Sequence, residues 1–380
     1  MATAGELLFS VGRESTVISP DRHRVITFDR AGRLFSYYRR GRTYRRDLAG
    51  GLHVRTGNGA VRHWQPLPPD EGQALLDEVD HLARQVRRQA PDLLRRRLDD
   101  EVLVWTPEAL QAEADRYRDA YQWPPSILPP DCYMSIVLQA STGCSWNKCA
   151  FCGLYRDRPF QVRTPEEFAL HAQRVRELLG PAWRYRRGIF LADGNALSLS
   201  LDRLTPLVQI AQETFPGHEF YGFIDVYSGQ RGEREKWAAL ARLDFRRVYI
   251  GMETGLDELL ALLNKPGSRR ELADFVALLK AGGLSVGLIV MVGAGGRPYA
   301  QRHAQATVEA LAGMDLDRED IIYVSPFLEQ PNTEYPQLRR EHGLTPMTPE
   351  ETEAALQSLT RQIRALGLRT ARYDLRSFIY

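Results

Sequence analysis

Between residues 133 and 330 the hydrophobic positions of this chain fall into short apolar runs, separated by longer stretches with helical spacing. The runs are 134–140, 188–192, 219–226, 247–252, 284–292 and 320–326. The helical stretches lie near 165–179, 202–214, 232–242, 257–281 and 299–313. Runs of strand length that barely alternate predict strands buried on both faces, and helices returning between them predict a parallel sheet. Six such units predict an α/β core over 131–330. The pattern before the core is different. Residues 1–65 carry short alternating segments broken by turn signals, such as Val25–Phe28 before Arg30-Ala31-Gly32 and Leu34–Tyr38 before Arg40-Gly41. That predicts a small antiparallel β-meander. Over 66–130 the apolar residues return at helix spacing, with Leu75, Val79, Leu82 and Val86 on one stripe and a second stretch from Pro107 to Tyr121. Pro124-Pro125 and Pro129-Pro130 mark the linker into the core. The last segment, 331–380, holds a helix over about 347–366 and an aromatic tail with Tyr373, Phe378 and Tyr380. Chain ends are usually polar and frayed, so this tail is expected to dock at the open mouth of the core, near the substrate space.

The chemistry concentrates in one loop. Directly after the first core strand come Cys144, Cys149 and Cys152, spaced C-x4-C-x2-C. Three thiolates hold three corners of a four-iron, four-sulfur cube and leave one iron without a protein ligand, whereas electron-transfer clusters normally have four cysteines. Zinc is the alternative metal, in a stapled binding module that is not an enzyme. It lacks a second Cys pair here, and the next histidine, His171, falls within a predicted helix. Four cysteines in 380 residues, three of them in one loop, fit a reduced interior better than a disulfide framework.

The loop resembles that of the radical S-adenosylmethionine (radical SAM) superfamily. The common spacing there is C-x3-C-x2-C, and this chain carries one residue more, as some branches of unassigned substrate do. The resemblance covers roughly Tyr133 to Glu329. It implies a partial (β/α)6 TIM-like barrel, a [4Fe–4S] cluster on Cys144, Cys149 and Cys152, and S-adenosyl-L-methionine (SAM) bound at the open iron. It further implies reductive cleavage of SAM to a 5′-deoxyadenosyl radical that takes hydrogen from a small-molecule or peptide substrate. The electron donor implied is a protein such as flavodoxin or ferredoxin. Cofactor contacts follow at matching positions. Phe151 stands near the adenine, and Asp193 and Gly194 of Leu191-Ala-Asp-Gly-Asn195 at the methionine amino group. Glu253 of Gly251-Met-Glu-Thr-Gly255 stands at the ribose, and Gly293 of the fifth strand against the adenine. Arg163 is the candidate for the SAM carboxylate, ahead of Arg156, because a fork-shaped cation suits a carboxylate. His303 and Cys132 read as structural before functional.

Composition adds bounds. Hydrophobic residues at 43% and charged residues at 26% are ordinary for a globular protein, and the net charge of +2 selects no partner. No run of about eighteen apolar residues occurs and the N-terminus lacks a leader pattern, so the expectation is a cytoplasmic protein without membrane contact. Lysine occurs only at 148, 236, 265 and 280; the other basic residues are arginine. The arginines at 22, 24, 30, 33, 39, 40, 42, 45 and 46, interleaved with Phe35, Tyr37, Tyr38 and Tyr44, form the case for nucleic acid, as a radical SAM enzyme that modifies RNA. In a meander such residues are more often a solvated face, so this reading ranks below a small molecule or peptide. No second cysteine set, cobalamin signature or Walker-type loop is present in the sequence, which counts against methylthiotransferases and cobalamin-dependent methylases.

Overall fold

A computed structural model describes residues 7–57, 62–232, 234–330 and 332–380. The chain forms two compact units: Met1–Gln122 with Gln173–Arg186 and Arg376–Tyr380, and Trp123–Ala172 with Arg187–Leu375.

The first unit is the meander and its helices. Strands β1 (Leu8–Val11), β2 (Ser15–Asp21), β3 (Arg24–Asp29), β4 (Leu34–Arg39), β5 (Arg42–Arg46), β6 (Leu52–Thr56) and β7 (His63–Pro66) pair antiparallel in sequence order. Alternation puts Ile18, Ile26, Tyr37 and Tyr44 on one face. Helix α1 (Pro69–Gln89) buries its Leu75, Val79, Leu82 and Val86 stripe in the same core. Helices α2 (Asp92–Arg97) and α3 (Pro107–Ala120) follow. Glu113 of α3 is fully buried between two guanidinium groups, with Arg33 at 2.9 Å and Arg46 at 2.6 Å. Arg33 also donates to the carbonyls of Leu178 and Leu179, which belong to this same unit.

The second unit is a seven-stranded, wholly parallel sheet. Its strands are β8 (Ile136–Gln139), then, after a short hairpin of β9 (Ser141–Thr142) with β10 (Gln161–Val162) and helix α4 (Pro165–Leu179), β11 (Ile189–Ala192). Helix α5 (Leu201–Thr214) leads to β12 (Phe220–Phe223), and α6 (Val226–Gln230) and α7 (Arg234–Arg242) lead to β13 (Phe245–Glu253). Helices α8 (Asp257–Leu262) and α9 (Arg269–Ala281) lead to β14 (Ser285–Val292), and α10 (Gly296–Ala312) to β15 (Ile321–Pro326). With β16 (Thr370–Arg372) the strand order is β8-β11-β12-β13-β14-β15-β16, each pair parallel, with β8 and β16 as open edges among the described residues. The fold is an α/β partial barrel.

Two features depart from the pattern-based expectation. The single helix expected over 257–281 is two helices, because Asn264 and Gly267 adopt positive φ (51° and 100°) around Lys265-Pro266. Proline excludes its predecessor from helical geometry and has no N–H to donate. A seventh strand, β16 (Thr370–Arg372), also joins β15 after α11 (Tyr335–Glu341) and α12 (Pro349–Ala365); three residues are too few for a periodic signal. The tail is corrected in part. Tyr373 and Leu375 belong to the barrel unit, but Arg376–Tyr380 belong to the first unit. There the Tyr380 carbonyl accepts the Leu48 N–H (2.9 Å), and its ring stands edge-on to Tyr121. Aromatic burial does hold the chain end in place within that unit.

Candidate active site

A cavity of about 1090 Å³, open solvent at its mouth included, lies in the barrel unit at the C-terminal ends of the strands. Parallel sheets present ligand sites there because the strand-to-helix loops converge at that end.

The β9–β10 hairpin closes the loop that carries Cys144, Cys149 and Cys152. Gly143, at its entry, has φ +74°, and a Cβ there would stand 2.8 Å from the Pro159 carbonyl, so glycine is required for the close approach. The loop is held from two directions. From the break between α8 and α9, the Leu263 carbonyl accepts the Ala150 N–H (2.9 Å) and the Asn264 carbonyl accepts the Trp146 indole N–H (3.0 Å). From the segment after β15, the Gln330 side chain accepts the Gly153 N–H (2.9 Å). Arg156 donates to the carbonyls of Cys149 and Cys152 (2.9 Å each) and pairs with Glu334. Arg156 therefore acts as a brace for the loop.

All three cysteines line the cavity and are half-buried. Burial pushes the Cys149 thiol up to about 12 and raises Cys152 as well, so loading of iron on these sulfurs releases protons. Among the described residues no group of three His, Cys, Asp or Glu side chains is placed to hold a single metal ion. Thiolates around one zinc stand only about 3.8 Å apart, as the ~2.3 Å Zn–S bond requires. The three cysteines of this loop share one wall of the cavity.

The other sequence candidates divide into two groups. Phe151, Gly194 and Glu253 line the cavity. Glu253 has φ +57°, and at the end of β13 two residues oppose one on β14, a bulge that re-aims its side chain. Asp193, Arg163 and Gly293 are not among the lining residues. Asp193 is buried beneath Gly194, where it accepts the Gly143 N–H (3.1 Å) and the Gln139 amide (3.2 Å), with the Arg158 guanidinium at 3.5 Å. Burial pushes its carboxyl up to about 6 against those partners. Arg163 donates to the Gln139 carbonyl (2.9 Å) at the end of β8. Gly293, at φ +100°, turns the chain out of β14. His303 is buried against the Thr254 hydroxyl (2.8 Å), which leaves its pKa at about 4, and Cys132 is buried against the Tyr249 hydroxyl.

Three lining residues escaped the sequence reading. Lys265 enters from the break between α8 and α9 and pairs with Glu253 at 2.9 Å. Burial opposes its charge, but the Glu253 carboxylate and the nearby Cys149 outweigh that, and its pKa is raised. Asp225, the cap of α6, and Asn195 are hydrogen-bonded to each other beside Ser145 and Ser228. The turn signature Asn264-Lys-Pro-Gly267 held the clue to Lys265; the apolar run 219–226 concealed Asp225.

Residues 138–306 match the family described as the radical SAM superfamily. Members of that family use a [4Fe–4S] cluster and SAM. No curated protein matches the chain. Among solved structures, coproporphyrinogen III oxidase (HemN) from Escherichia coli is similar at 17% identity and a TM-score of 0.47, over 67% of this chain and 56% of that one. Methylornithine synthase (PylB) is similar at 16% and 0.43, over 77% and 81%. The radical SAM methyltransferase TsrM from Kitasatospora setae is similar at 14% and 0.41, over 53% and 38%. The match thus spans little more than half of the first of these and less of the third. Among the described residues no helix is long and apolar enough to cross a membrane.

Proposed function

We propose that this enzyme generates a 5′-deoxyadenosyl radical in the cavity and uses it to take a hydrogen atom from a small-molecule or peptide substrate. The observation that carries this is the single cavity lined together by Cys144, Cys149, Cys152, Phe151, Glu253 and Lys265. The cluster and SAM supply the one-electron cleavage that makes the radical; the chain's residues bind, orient and shield. Cys144, Cys149 and Cys152 are the cluster ligands. Gly194 lets the SAM methionine end approach the backbone over Asp193, whose carboxylate draws the ammonium toward it through the turn. Glu253 accepts from the ribose hydroxyls, and Phe151 with Gly293 at the end of β14 frames the adenine. Lys265 supplies the cation for the SAM carboxylate, a role better suited to a cavity-lining group than to Arg163, which holds the end of β8. Trp146, Tyr155 and Phe327 line the same space and would shield a carbon radical from external reductants and thiols. The electron comes from a small redox protein such as flavodoxin or ferredoxin, and the setting is the cytoplasm.

The substrate fraction can be read directly. The anaerobically reconstituted enzyme is incubated with SAM, dithionite and either the deuterated small-molecule and peptide fraction or the deuterated RNA fraction of cells grown in heavy water. The expected result is deuterium in 5′-deoxyadenosine from the first fraction. Deuterium from RNA alone would overturn the substrate assignment, and no 5′-deoxyadenosine at all would overturn the reaction.

A further inference from the structure

On the reading just given, we infer that the substrate is a largely apolar molecule bearing an amine or ammonium group that Asp225 receives, and that the cavity rejects anionic substrates. The argument begins with charge. Among the described residues lining the cavity, the carboxylates are Asp225 and Glu253, and the one cation is Lys265. Lys265 is already engaged by Glu253 at 2.9 Å. A phosphate or carboxylate on a substrate would therefore find no cation of its own and would face Asp225, an arrangement that penalises like charge strongly once water is excluded.

Asp225 is the opposite case. Its Oδ1 accepts the Ser228 N–H (2.7 Å), and its Oδ2 accepts the Ser228 hydroxyl (2.9 Å) and the Asn195 amide. The Asn195 carbonyl in turn accepts the Asp225 N–H (2.9 Å). These contacts fix the carboxylate at the cavity wall, yet every one of these partners is neutral. A carboxylate has about four lone-pair sites, two on each oxygen, and three are used here, so acceptor capacity remains on Oδ1. Lys265 acts on Asp225 only through space, and a fixed, half-buried carboxylate whose hydrogen-bond partners are all neutral gains most from a donor that carries charge. The wall around it is apolar: Ile127, Leu154, Phe223, Tyr373 and Leu375 line the same space and give an aliphatic or aromatic body something to bury against. Position also fits, because Asn195 and Asp225 follow the second and third barrel strands respectively, whereas Glu253 and Lys265, assigned to SAM, end and follow the fourth.

The test uses the reconstituted holoenzyme with SAM bound, and three indoles of one shape and different charge: tryptamine, indole-3-propionamide and indole-3-propionate. Equilibrium dialysis is expected to rank them in that order, with tryptamine at least about tenfold tighter than the propionate, or about 1.4 kcal/mol. Asp225→Asn keeps an acceptor for the helix cap and is expected to erase most of the amine's advantage over the amide. The inference is overturned if the propionate binds as well as tryptamine, or if none of the three binds at millimolar concentration. The wild-type ranking decides the matter even if the variant does not fold. Formation of 5′-deoxyadenosine in the same preparation separates the two levels. Its presence with the ranking lost removes the substrate class alone, and its absence together with missing iron removes the radical SAM reading.

Discussion

The two units treat buried carboxylates in opposite ways. In the meander unit, Glu113 lies between Arg33 and Arg46, and Arg33 is further engaged by Asp29 and by two helix-end carbonyls. In the barrel unit, Asp193 is equally buried, but its guanidinium partner stands 3.5 Å away and its carboxyl is pushed up to about 6. Asp225 there has neutral hydrogen-bond partners, and Glu253 is held in left-handed backbone at the cavity wall. Charge in the first unit is consumed by the fold; in the second, Asp225 and Glu253 stand at the wall of a cavity that a ligand can fill. The same contrast bears on nucleic acid. Of the nine meander arginines, Arg24, Arg30, Arg33, Arg39 and Arg46 sit in ion pairs and Arg45 stacks on Phe35. Most of that basic set serves the meander itself.

The comparison can be broken at Glu113. Glu113→Gln leaves two buried guanidinium groups short of a charge partner and is expected to cost about 3–5 kcal/mol of stability in denaturant unfolding. Iron content of the folded fraction should stay the same, and loss of iron from protein that remains folded would deny the division of roles. On the barrel side, Glu253→Gln is expected to weaken SAM about 10- to 100-fold, the equivalent of about 1.5–3 kcal/mol for a charge-assisted hydrogen bond. Iron content should be unaffected, and unchanged SAM affinity by calorimetry would mean that Glu253 serves only Lys265.

Asp193 sharpens the contrast through pH. Its folded pKa, about 6, lies above the ordinary 3.8, so the folded state binds the extra proton between these values. Stability from this group falls as pH rises through that window, while the ionised form that attracts the SAM ammonium grows. SAM affinity should therefore rise several-fold between about pH 5 and 7, and Asp193→Asn should flatten both slopes. Equal slopes in the variant and the parent would remove Asp193 from the account. The smallest effect belongs to the tail. Deleting 376–380 removes the Leu48–Tyr380 hydrogen bond and the Tyr121 contact but keeps Tyr373 and Leu375. The expected loss is about 1–2 kcal/mol of stability, with uncoupled 5′-deoxyadenosine formation unchanged. Faster uncoupled turnover would restore a lid at the chain end.

Much of the barrel was legible because its strands are buried on both faces and announce themselves as apolar runs: 284–292 and 320–326 match Ser285–Val292 and Ile321–Pro326 within a residue. The cysteine loop was legible because three thiols within nine residues have few other uses. What escaped depends on distance in sequence. Lys265 reaches the cavity only because a turn breaks a periodic pattern that otherwise reads as one helix, and its partner lies twelve residues back. Asp225 was hidden at the end of an apolar run, and its neighbour Asn195 lies thirty residues away. Arg156 looks like a surface arginine until the segment after β15 supplies Glu334.

The central claim is that Cys144, Cys149 and Cys152 hold an open-cornered iron–sulfur cluster to which SAM binds, and one spectrum tests it. Anaerobically reconstituted protein, reduced with dithionite, should carry about four irons per chain and show the paramagnetic signal of a reduced cluster, shifted when SAM is added. Alanine at any of the three cysteines should abolish the signal or its response to SAM. Stoichiometric zinc with no iron, or a cluster signal indifferent to SAM, would contradict the account.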